Sequence, residues 1–355
     1  MPLAITLELA ACARDPYTAR PMSHASPRQA ALHTFLADAL PGRHLDLAPA
    51  SVDASFRSYW RVRAGADSWV VMDAPPEHED CRPWLDVCRR LREAGLHAPE
   101  VLHQDLDQGF LLLEDLGDRT YLPALHDGSV DGLYADALDA LLVVQTRADA
   151  TGLPGYDETR LRDEMALMPA WFLGRHLDIT PTDEELAVIE VAFRHLLGSA
   201  LAQPKVFVHR DYHSRNLLIT DSNSPGIVDF QDAVLGPVTY DLVSLLRDCY
   251  IVWPEARVAA WAESHRRALI EAGVELPDAG MFQHCFDLMG LQRHIKVLGI
   301  FCRLWYRDGK AGYLADLPRV WAYVDTVAAR HRELADFRAL MRGWIGDRDL
   351  ARPAP

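Results

Sequence analysis

The chain has 355 residues, of which 49% are hydrophobic and 25% are charged, so it is long enough to bury a substantial core. This composition excludes intrinsic disorder, a collagen-like repeat and a coiled coil. Its 36 basic and 51 acidic residues give a formal charge of -15 at pH 7, which repels nucleic-acid backbones and anionic lipid heads. We therefore expect neither nucleic acid nor a membrane as a partner.

Cysteine usage and the amino terminus give two further expectations. Six cysteines lie apart without a CxxC pair, which favours free thiols in a reducing compartment, the cytoplasm, and no structural zinc. Residues 1–27 contain four prolines and no clear period, so we expect a loose extension, with Met22 as a candidate start besides Met1. The sequence gives no signal for the oligomeric state.

The next part of the chain predicts a small mixed α/β lobe over residues 28–117. Between Val52 and Val71, two segments rich in β-branched and aromatic residues flank a glycine turn, which predicts two antiparallel strands. Residues 80–94 place apolar side chains on one helical face and are followed by Gly95, a pattern typical of a helix end. Residues 101–114 predict two more strands around a second glycine.

Helical periods dominate residues 118–355, so we expect a second, mainly helical lobe and an α+β, bilobal fold. One exception is the segment 206–232, whose apolar runs are too short for helices and predict short strands. The predicted helices are 129–147, 182–202, 239–251, 255–273, 281–307 and 318–342.

Polar residues at a regular spacing lie within this strand-rich exception. His209, Asp211 and Asn216 fit H-x-D-x-x-x-x-N, and Asp229 follows Asn216 after thirteen residues. Phosphoryl transfer needs a carboxylate that orients and deprotonates the attacking hydroxyl, and oxygen ligands that hold Mg²⁺ against the phosphates. The spacing therefore predicts Asp211 as the base and Asn216 and Asp229 as Mg²⁺ ligands. The alternative is that each polar residue only caps a strand or turn.

These motifs resemble the aminoglycoside phosphotransferase family of kinase-like enzymes over nearly the whole chain. The resemblance implies a bilobal protein-kinase-like fold that binds ATP and Mg²⁺ between its lobes. It also implies that Asp241 braces the catalytic loop and that His209 is structural. Glu114, Asp115 and Leu116 correspond to the connecting strand, whose backbone is expected to contact the adenine while the two acidic side chains lie in solvent.

One feature departs from that family. Such kinases usually place a lysine on the third strand, paired to a helix glutamate, to hold the phosphates. Here Met72 or Asp73 occupies the strand position, Cys81 or Trp84 occupies the helix position, and the first lysine of the chain is Lys205.

Two interpretations of the missing lysine stay open. The chain is either a regulatory pseudokinase or an active enzyme in which an arginine holds the phosphates. Because the predicted base and both predicted metal ligands are present, we favour the active enzyme. Arg57 is the candidate cation, since a guanidinium can bind phosphate through two hydrogen bonds, and the backbone of the loop with Ser55 and Ser58 can add N–H donors.

The predicted helix 281–307 is locally basic in an acidic protein. Residues 290–310 contain five basic residues and one acidic residue, and Arg293, Lys296 and Arg303 share one helical face. This face is either solvated or part of an acceptor site, where it would repel a polycationic aminoglycoside and attract an anionic sugar. Further candidates for binding sugar hydroxyls, or for bracing the loops, are His213, Arg215, Gln231 and Asp232.

Longer strings narrow the resemblance. MDAPPE, HRDYHSRNLL and GLQRHIKVLGIF are similar to the anomeric kinases of bacterial cell-wall recycling. Those enzymes transfer the γ-phosphate of ATP to the C1 hydroxyl of N-acetylmuramate and N-acetylglucosamine, and they also lack the strand lysine. The resemblance implies that the partners are ATP and a small amino sugar. The alternatives are a kinase for an aminoglycoside, choline, homoserine or another small alcohol, and the pseudokinase.

Overall fold

A five-stranded antiparallel sheet forms the first part of the fold in the computed structural model, which describes residues 27–52 and 57–353. Its strands are β1 (Asp46–Val52), β2 (Ser58–Ala64), β3 (Asp67–Asp73), β4 (Val101–Asp105) and β5 (Phe110–Glu114). Their spatial order is β1-β2-β3-β5-β4, so both predicted strand pairs are confirmed. Strand β1 was not predicted because Pro49 and small side chains give little strand signal, and its pairing with β2 shifts there.

One helix covers each face of the sheet. Helix α1 (Pro27–Ala39) packs Phe35 and Leu36 against Val71 and Phe110 on the outer face. Helix α2 (Cys81–Glu93) is capped at its amino end by Asp80, whose carboxylate accepts the Arg82 N–H at 2.9 Å. The apolar side chains of α2 are buried on the other face of the sheet. We call β1–β5 with α1 and α2 the sheet lobe.

The rest of the described chain, which we call the helical lobe, is built on helices with four short strands. The strands β6 (Lys205–Val208) and β9 (Val234–Pro237) pair with each other, as do β7 (Leu217–Leu218) and β8 (Gly226–Ile227). The α-helices are α3 (Tyr121–Ala124), α4 (Val130–Thr146), α5 (Glu158–Met165), α6 (Asp183–Leu201), α7 (Tyr240–Leu246), α8 (Glu255–Glu271), α9 (Ala279–Tyr306), α10 (Leu317–Ala328) and α11 (Ala335–Ile345). A π-helical segment spans Met168–His176, and 3-10 turns span Ala311–Asp316 and Arg332–Leu334.

Helix α9 runs through the centre of the helical lobe. Every residue from Phe286 to Leu298 is buried, whichever side of the helix it lies on, so this stretch has no solvated face. The interpretation of Arg293 and Lys296 as part of a solvated face is therefore wrong. The close packing depends on Gly299, because a Cβ atom there would lie 2.3 Å from the carbonyl carbon of Leu167.

Two predicted helices are shorter than expected. The helix predicted over 239–251 ends at Leu246, because Asp248 turns away to accept hydrogen bonds from Ser214 and from the Tyr250 N–H. The helix predicted over 318–342 is two helices separated by a 3-10 turn, where Leu334 is buried. The apolar period continues through both breaks, so the pattern alone did not show them.

Two expectations on composition can be compared with the structure. No helix among the described residues is both long and apolar enough to cross a membrane. The five cysteines within residues 27–353, namely Cys81, Cys88, Cys249, Cys285 and Cys302, form no disulfide.

His265 is predicted to make the fold sensitive to acid. It is buried on α8, its Nε2 lies 2.8 Å from the Gln145 Oε1, and burial lowers its pKa to about 4 from 6.5. Between these pH values the unfolded chain binds a proton that the folded chain does not, so stability present above pH 6.5 is lost as the pH falls toward 4. The loss amounts to about 3 kcal/mol.

The measurement is the free energy of unfolding by urea as a function of pH. His265→Gln is expected to flatten the slope between pH 6.5 and 4, whatever it costs in stability at neutral pH. The control is His44→Gln, because the His44 side chain is 96% exposed. Parallel slopes for the wild type and His265→Gln would contradict the prediction.

Candidate active site

The loop after β6 is held by a buried carboxylate. Asp241, in the first turn of α7, accepts the backbone N–H groups of His209 at 2.6 Å and Arg210 at 2.9 Å. Arg210 has a φ of 78°, a left-handed conformation that is costly for a residue other than glycine. The two bonds stabilise this conformation and fix the direction in which the next residue, Asp211, leaves the strand.

A second carboxylate holds the middle of the same loop. Asp248 is buried just after α7, and its Oδ2 accepts the Ser214 N–H at 3.0 Å. Sequence reasoning missed Asp248, because the helix predicted over 239–251 placed it inside a helix. Asp241 and Asp248 together attach the loop 209–216, which we call the catalytic loop, to α7 and the turn after it.

The predicted metal ligands lie next to each other and next to the predicted base. The pairing of β7 with β8 brings Asn216 and Asp229 together, and the Asn216 Nδ2 donates to the Asp229 Oδ2 at 3.1 Å. The same Nδ2 donates to the backbone oxygen of Asp211 at 3.0 Å. Gln231 donates to the other Asp229 oxygen at 2.9 Å. The three residues named from the spacing therefore lie together, and all three line one cavity.

Two cavities meet at these residues. The first, of about 370 Å³, lies between the sheet lobe and the helical lobe, and we call it the nucleotide cavity after the ligand expected there. The second, of about 470 Å³, lies between the catalytic loop and α9, and we call it the acceptor cavity for the same reason. Arg215, Asn216 and Asp229 line both cavities. These three side chains therefore form the junction between the two cavities.

The connecting strand forms one side of the nucleotide cavity, as Glu114, Asp115 and Leu116 all line it. The expectation that the Asp115 side chain is solvated is wrong, because its carboxylate accepts two hydrogen bonds from Arg61, at 2.7 and 2.9 Å, and one from Ser68. Burial acts to raise the pKa of Asp115, but the Arg61 and Ser68 bonds outweigh it and lower that pKa. Glu114 is half-buried against His97.

The third strand places no cation in the nucleotide cavity. Asp73 faces the outer side of the sheet, where its carboxylate accepts the Arg28 Nε–H at 2.8 Å. Met72 is fully buried on the opposite face, which it shares with Val70, a lining residue of the cavity. An apolar side chain therefore occupies the cleft side of the strand where related kinases have a lysine.

The loop expected to hold the phosphates is only partly described. Ser55 lies outside the described residues. Ser58 begins β2, where its Oγ accepts the Trp60 indole N–H at 3.2 Å, and it lines neither cavity. Arg57 lines the acceptor cavity rather than the nucleotide cavity, and its Nε lies 3.9 Å from Glu79. A role for Arg57 in phosphate binding stays a prediction.

Two buried cations of α9 surround the predicted base. The Arg293 Nη2 lies 3.7 Å from the Asp211 Oδ1, and Arg293 also donates to the Arg210 carbonyl oxygen at 2.8 Å. Burial acts to raise the pKa of Asp211, but Lys296 and Arg293 outweigh it and hold that pKa well below its usual range. Asp211 is therefore ionised at neutral pH and can accept a proton from a substrate hydroxyl.

A buried glutamate that sequence reasoning missed balances Lys296 and Arg210. Glu164, on α5, pairs with Arg210 and lies 3.0 Å from the Lys296 Nζ, and it accepts the Tyr156 hydroxyl. Burial acts to raise the pKa of Glu164, but Lys296 and Arg210 lower it overall. Nothing near Glu164 in the sequence marks this role, because its partners lie in distant segments.

The other predicted acceptor residues also line the acceptor cavity. The Arg303 Nε is buried, and within residues 27–52 and 57–353 it has no hydrogen-bond partner. Arg215 stacks on Tyr250, with its guanidinium carbon 3.7 Å from the ring centroid. His213 packs edge-on against the same ring, whereas Asp232 is 62% exposed and lies 3.9 Å from Arg210. Whether these groups contact an acceptor stays a prediction.

The sequence model of the phosphotransferase enzyme family matches residues 46–279. This chain belongs to that family. The match begins at β1 and ends at the start of α9, so it includes the catalytic loop and Asp229. It confirms the resemblance inferred from the motifs.

Curated relatives and solved structures agree with the family. The N-acetylmuramate/N-acetylglucosamine kinase of Pseudomonas aeruginosa is 50% identical over 298 residues, covering 83% of this chain and 88% of its own length. The enzyme of that name from Neisseria meningitidis is 40% identical over 329 residues, covering 91% and 98%. A choline kinase from Streptococcus pneumoniae superposes with a TM-score of 0.58 at 11% identity, covering 86% and 100%. The bilobal kinase-like fold is thereby confirmed, and the chain is an ATP-dependent phosphotransferase.

Asp241→Asn tests the anchor of the catalytic loop. The amide oxygen can accept only one of the two buried N–H groups, and an unpartnered buried donor costs about 1–3 kcal/mol. We expect the free energy of unfolding in urea to fall by about 2 kcal/mol. We also expect kcat for ADP release to fall, because Asp211 loses its fixed position. The control is Asp221→Asn, whose side chain is 97% exposed. Wild-type stability in Asp241→Asn would contradict the prediction.

Proposed function

We propose that this protein transfers the γ-phosphate of ATP to the C1 hydroxyl of N-acetylmuramate, of N-acetylglucosamine, or of both. The observation that supports this most is the acceptor cavity, which is cationic and opens onto Asp211, Asn216 and Asp229. The names of the relatives from two genera point to the same two sugars. The product, a sugar 1-phosphate, fits the salvage of amino sugars in peptidoglycan recycling, in the cytoplasm, where free thiols persist.

The charge of the acceptor cavity favours an anionic acceptor. Its lining includes six basic residues, namely Arg57, Arg210, Arg215, Arg293, Lys296 and Arg303. Among the residues that the structure describes, three acidic ones line it, namely Asp211, Asp229 and Asp232. A polycationic aminoglycoside or a choline cation would be repelled there, whereas the lactyl carboxylate of N-acetylmuramate would be attracted. The charge therefore favours N-acetylmuramate over cationic alcohols such as an aminoglycoside or choline.

The residues of the chain account for the transfer step. Asp211 accepts the proton of the C1 hydroxyl while that oxygen forms a bond to the γ-phosphorus. The bond between the γ-phosphorus and its bridging oxygen breaks, and ADP leaves with the electron pair. Arg293 keeps Asp211 ionised and in place, so the base needs no reorganisation during the reaction.

The side chains between the cavities fit Mg²⁺. Because the Asn216 Nδ2 is used by Asp211 and Asp229, the amide oxygen is the atom left for a ligand. Amide and carboxylate oxygens are the hard donors that Mg²⁺ prefers. We propose that Asn216 and Asp229 hold the ion, which neutralises phosphate charge when bound. We further propose residues 28–117 and 118–355 as the two functional lobes.

An assay of ADP release with a panel of acceptors tests the proposal. We expect activity with N-acetylmuramate or N-acetylglucosamine that requires Mg²⁺, and none with their C1 methyl glycosides, an aminoglycoside or choline. Asp211→Asn is expected to lower kcat by about 10²–10⁴-fold, the usual contribution of a general base. The control is again Asp221→Asn. Equal turnover of the C1-blocked sugars would refute the anomeric assignment, and activity only with choline would refute the acceptor class.

Arg303 is predicted to favour N-acetylmuramate over N-acetylglucosamine. Among the described residues no carboxylate forms an ion pair with Arg303, so its guanidinium is available to the lactyl carboxylate. A hydrogen bond to a charged group contributes about 1.5–3 kcal/mol, or roughly 10- to 100-fold in kcat/KM. Arg303→Met should lose this factor for N-acetylmuramate alone. The control is Arg307→Met, at the residue that follows α9, where the guanidinium is paired with Asp308. Equal losses for both sugars would contradict the prediction.

A further inference from the structure

The nucleotide cavity contains few cations for a ligand as highly charged as ATP. Two basic residues line it, Arg61 and Arg215, beside the acidic residues Glu114, Asp115, Asp118 and Asp229. Kinases need positive charge at the phosphates because the groups that move are all negatively charged. Besides the proposed Mg²⁺, these two arginines are the side-chain cations of the described lining that can supply it.

Arg61 is committed to the connecting strand. It donates to both carboxylate oxygens of Asp115, at 2.7 and 2.9 Å, and to the Gly117 carbonyl oxygen at 3.0 Å. Its Nη1 also lies 3.7 Å from Asp118. To turn toward the phosphates, Arg61 would leave the half-buried carboxylate of Asp115 without its cation, which is costly. Arg61 therefore stabilises the connecting strand instead of the phosphates.

Arg215, in contrast to Arg61, is held by aromatic rings and not by a carboxylate. Its guanidinium lies over the Tyr250 ring at 3.7 Å and near the Tyr313 ring at 6.0 Å, so aromatic faces fix its plane. Over residues 27–52 and 57–353, no carboxylate lies within ion-pair distance of it. A guanidinium that is held by ring faces keeps its N–H edge for a ligand.

The position of Arg215 identifies the ligand group. It precedes Asn216 in the catalytic loop, and with Asn216 and Asp229 it lines both cavities. The terminal phosphoryl group is the part of the reaction that must lie at this junction, since it leaves one cavity and enters the other. An arginine there faces the charge that develops during transfer.

We propose that Arg215 is a catalytic residue that binds the terminal phosphoryl group of ATP, and that it supplies positive charge there in a chain that lacks the strand lysine. The inference rests on the proposed function for the presence of ATP. It does not depend on which sugar accepts the phosphate. Arg57 is a weaker candidate, because it lines the acceptor cavity only and lies beside Glu79.

The first test measures nucleotide binding without any acceptor. Calorimetry gives the Kd of ATP and of ADP, each with Mg²⁺, for the wild type, Arg215→Met and Arg215→Lys. A charge-assisted contact to the terminal phosphate predicts that Arg215→Met weakens ATP binding by about tenfold or more relative to ADP. The control is Arg194→Met, on α6, whose side chain is 64% exposed and lines neither cavity.

The second test measures turnover. Arg215→Met is expected to lower kcat by roughly 10²–10³-fold, as for other donors that stabilise transition-state charge, and equally for N-acetylmuramate and N-acetylglucosamine. Arg215→Lys should recover at least tenfold, because it restores the charge. Thermal melting of each variant shows whether it is folded, and the lysine variant keeps the test valid if Arg215→Met unfolds.

Several results would overturn the inference. Equal weakening of ATP and ADP would place Arg215 on another part of the nucleotide. A loss restricted to N-acetylmuramate would make it a ligand of the lactyl carboxylate. A lysine variant no more active than the methionine variant would exclude a role of charge.

If no sugar is phosphorylated but the preference for ATP depends on Arg215, the proposed acceptor fails and the inference on Arg215 stands.

Discussion

The site depends on attaching an irregular loop to a buried helix. Arg210, in the loop, has a φ of 78°, and Asp229, just after β8, has a φ of 62°, and such conformations cost about 1–3 kcal/mol each. Asp241 and Asp248 offset that cost by accepting three backbone N–H groups of the loop. Both carboxylates come from α7 and the turn after it, so one short helix determines where Asp211 and Asn216 lie.

Charge compensation decides which cations remain for substrates. Arg210 and Lys296 face Glu164, and Arg293 faces Asp211, so these three cations hold the site together. Breaking such a buried pair is costly because it leaves an uncompensated charge. Arg303 has no ion pair within residues 27–52 and 57–353. The net positive character of the acceptor cavity therefore comes from side chains that the fold itself does not neutralise.

The sequence predicted the site residues that lie close together along the chain and missed the contacts between residues that lie far apart along it. Asp211, Asn216 and Asp229 could be identified because a short hairpin joins them, so spacing along the chain implies proximity. The helical wheel placed Arg293 and Lys296 on one face. Because a wheel shows a single helix without the elements that pack on it, it could not show that Glu164 and Tyr240 contact that face.

The same limit explains the error at the connecting strand and the missed elements. Arg61 pairs with Asp115 across 54 residues of sequence, so nothing near Asp115 indicated that its carboxylate is buried. Strand β1 and helix α1 have weak local patterns, and they are stabilised by packing on the outer face of the sheet. Their existence follows from tertiary contacts, which a single sequence does not display.

A catalytic arginine in the loop changes what the sheet lobe must do. In a kinase with a strand lysine, the phosphates are held correctly only when the two lobes have the right orientation. Here Arg215, Asn216, Asp211 and Asp229 all belong to one loop and one hairpin, which are fixed to α7 and α9. The sheet lobe then needs to supply only the apolar wall and the connecting strand. Met72 can then be apolar and Asp73 can face α1, because the loop supplies the charge at the terminal phosphate.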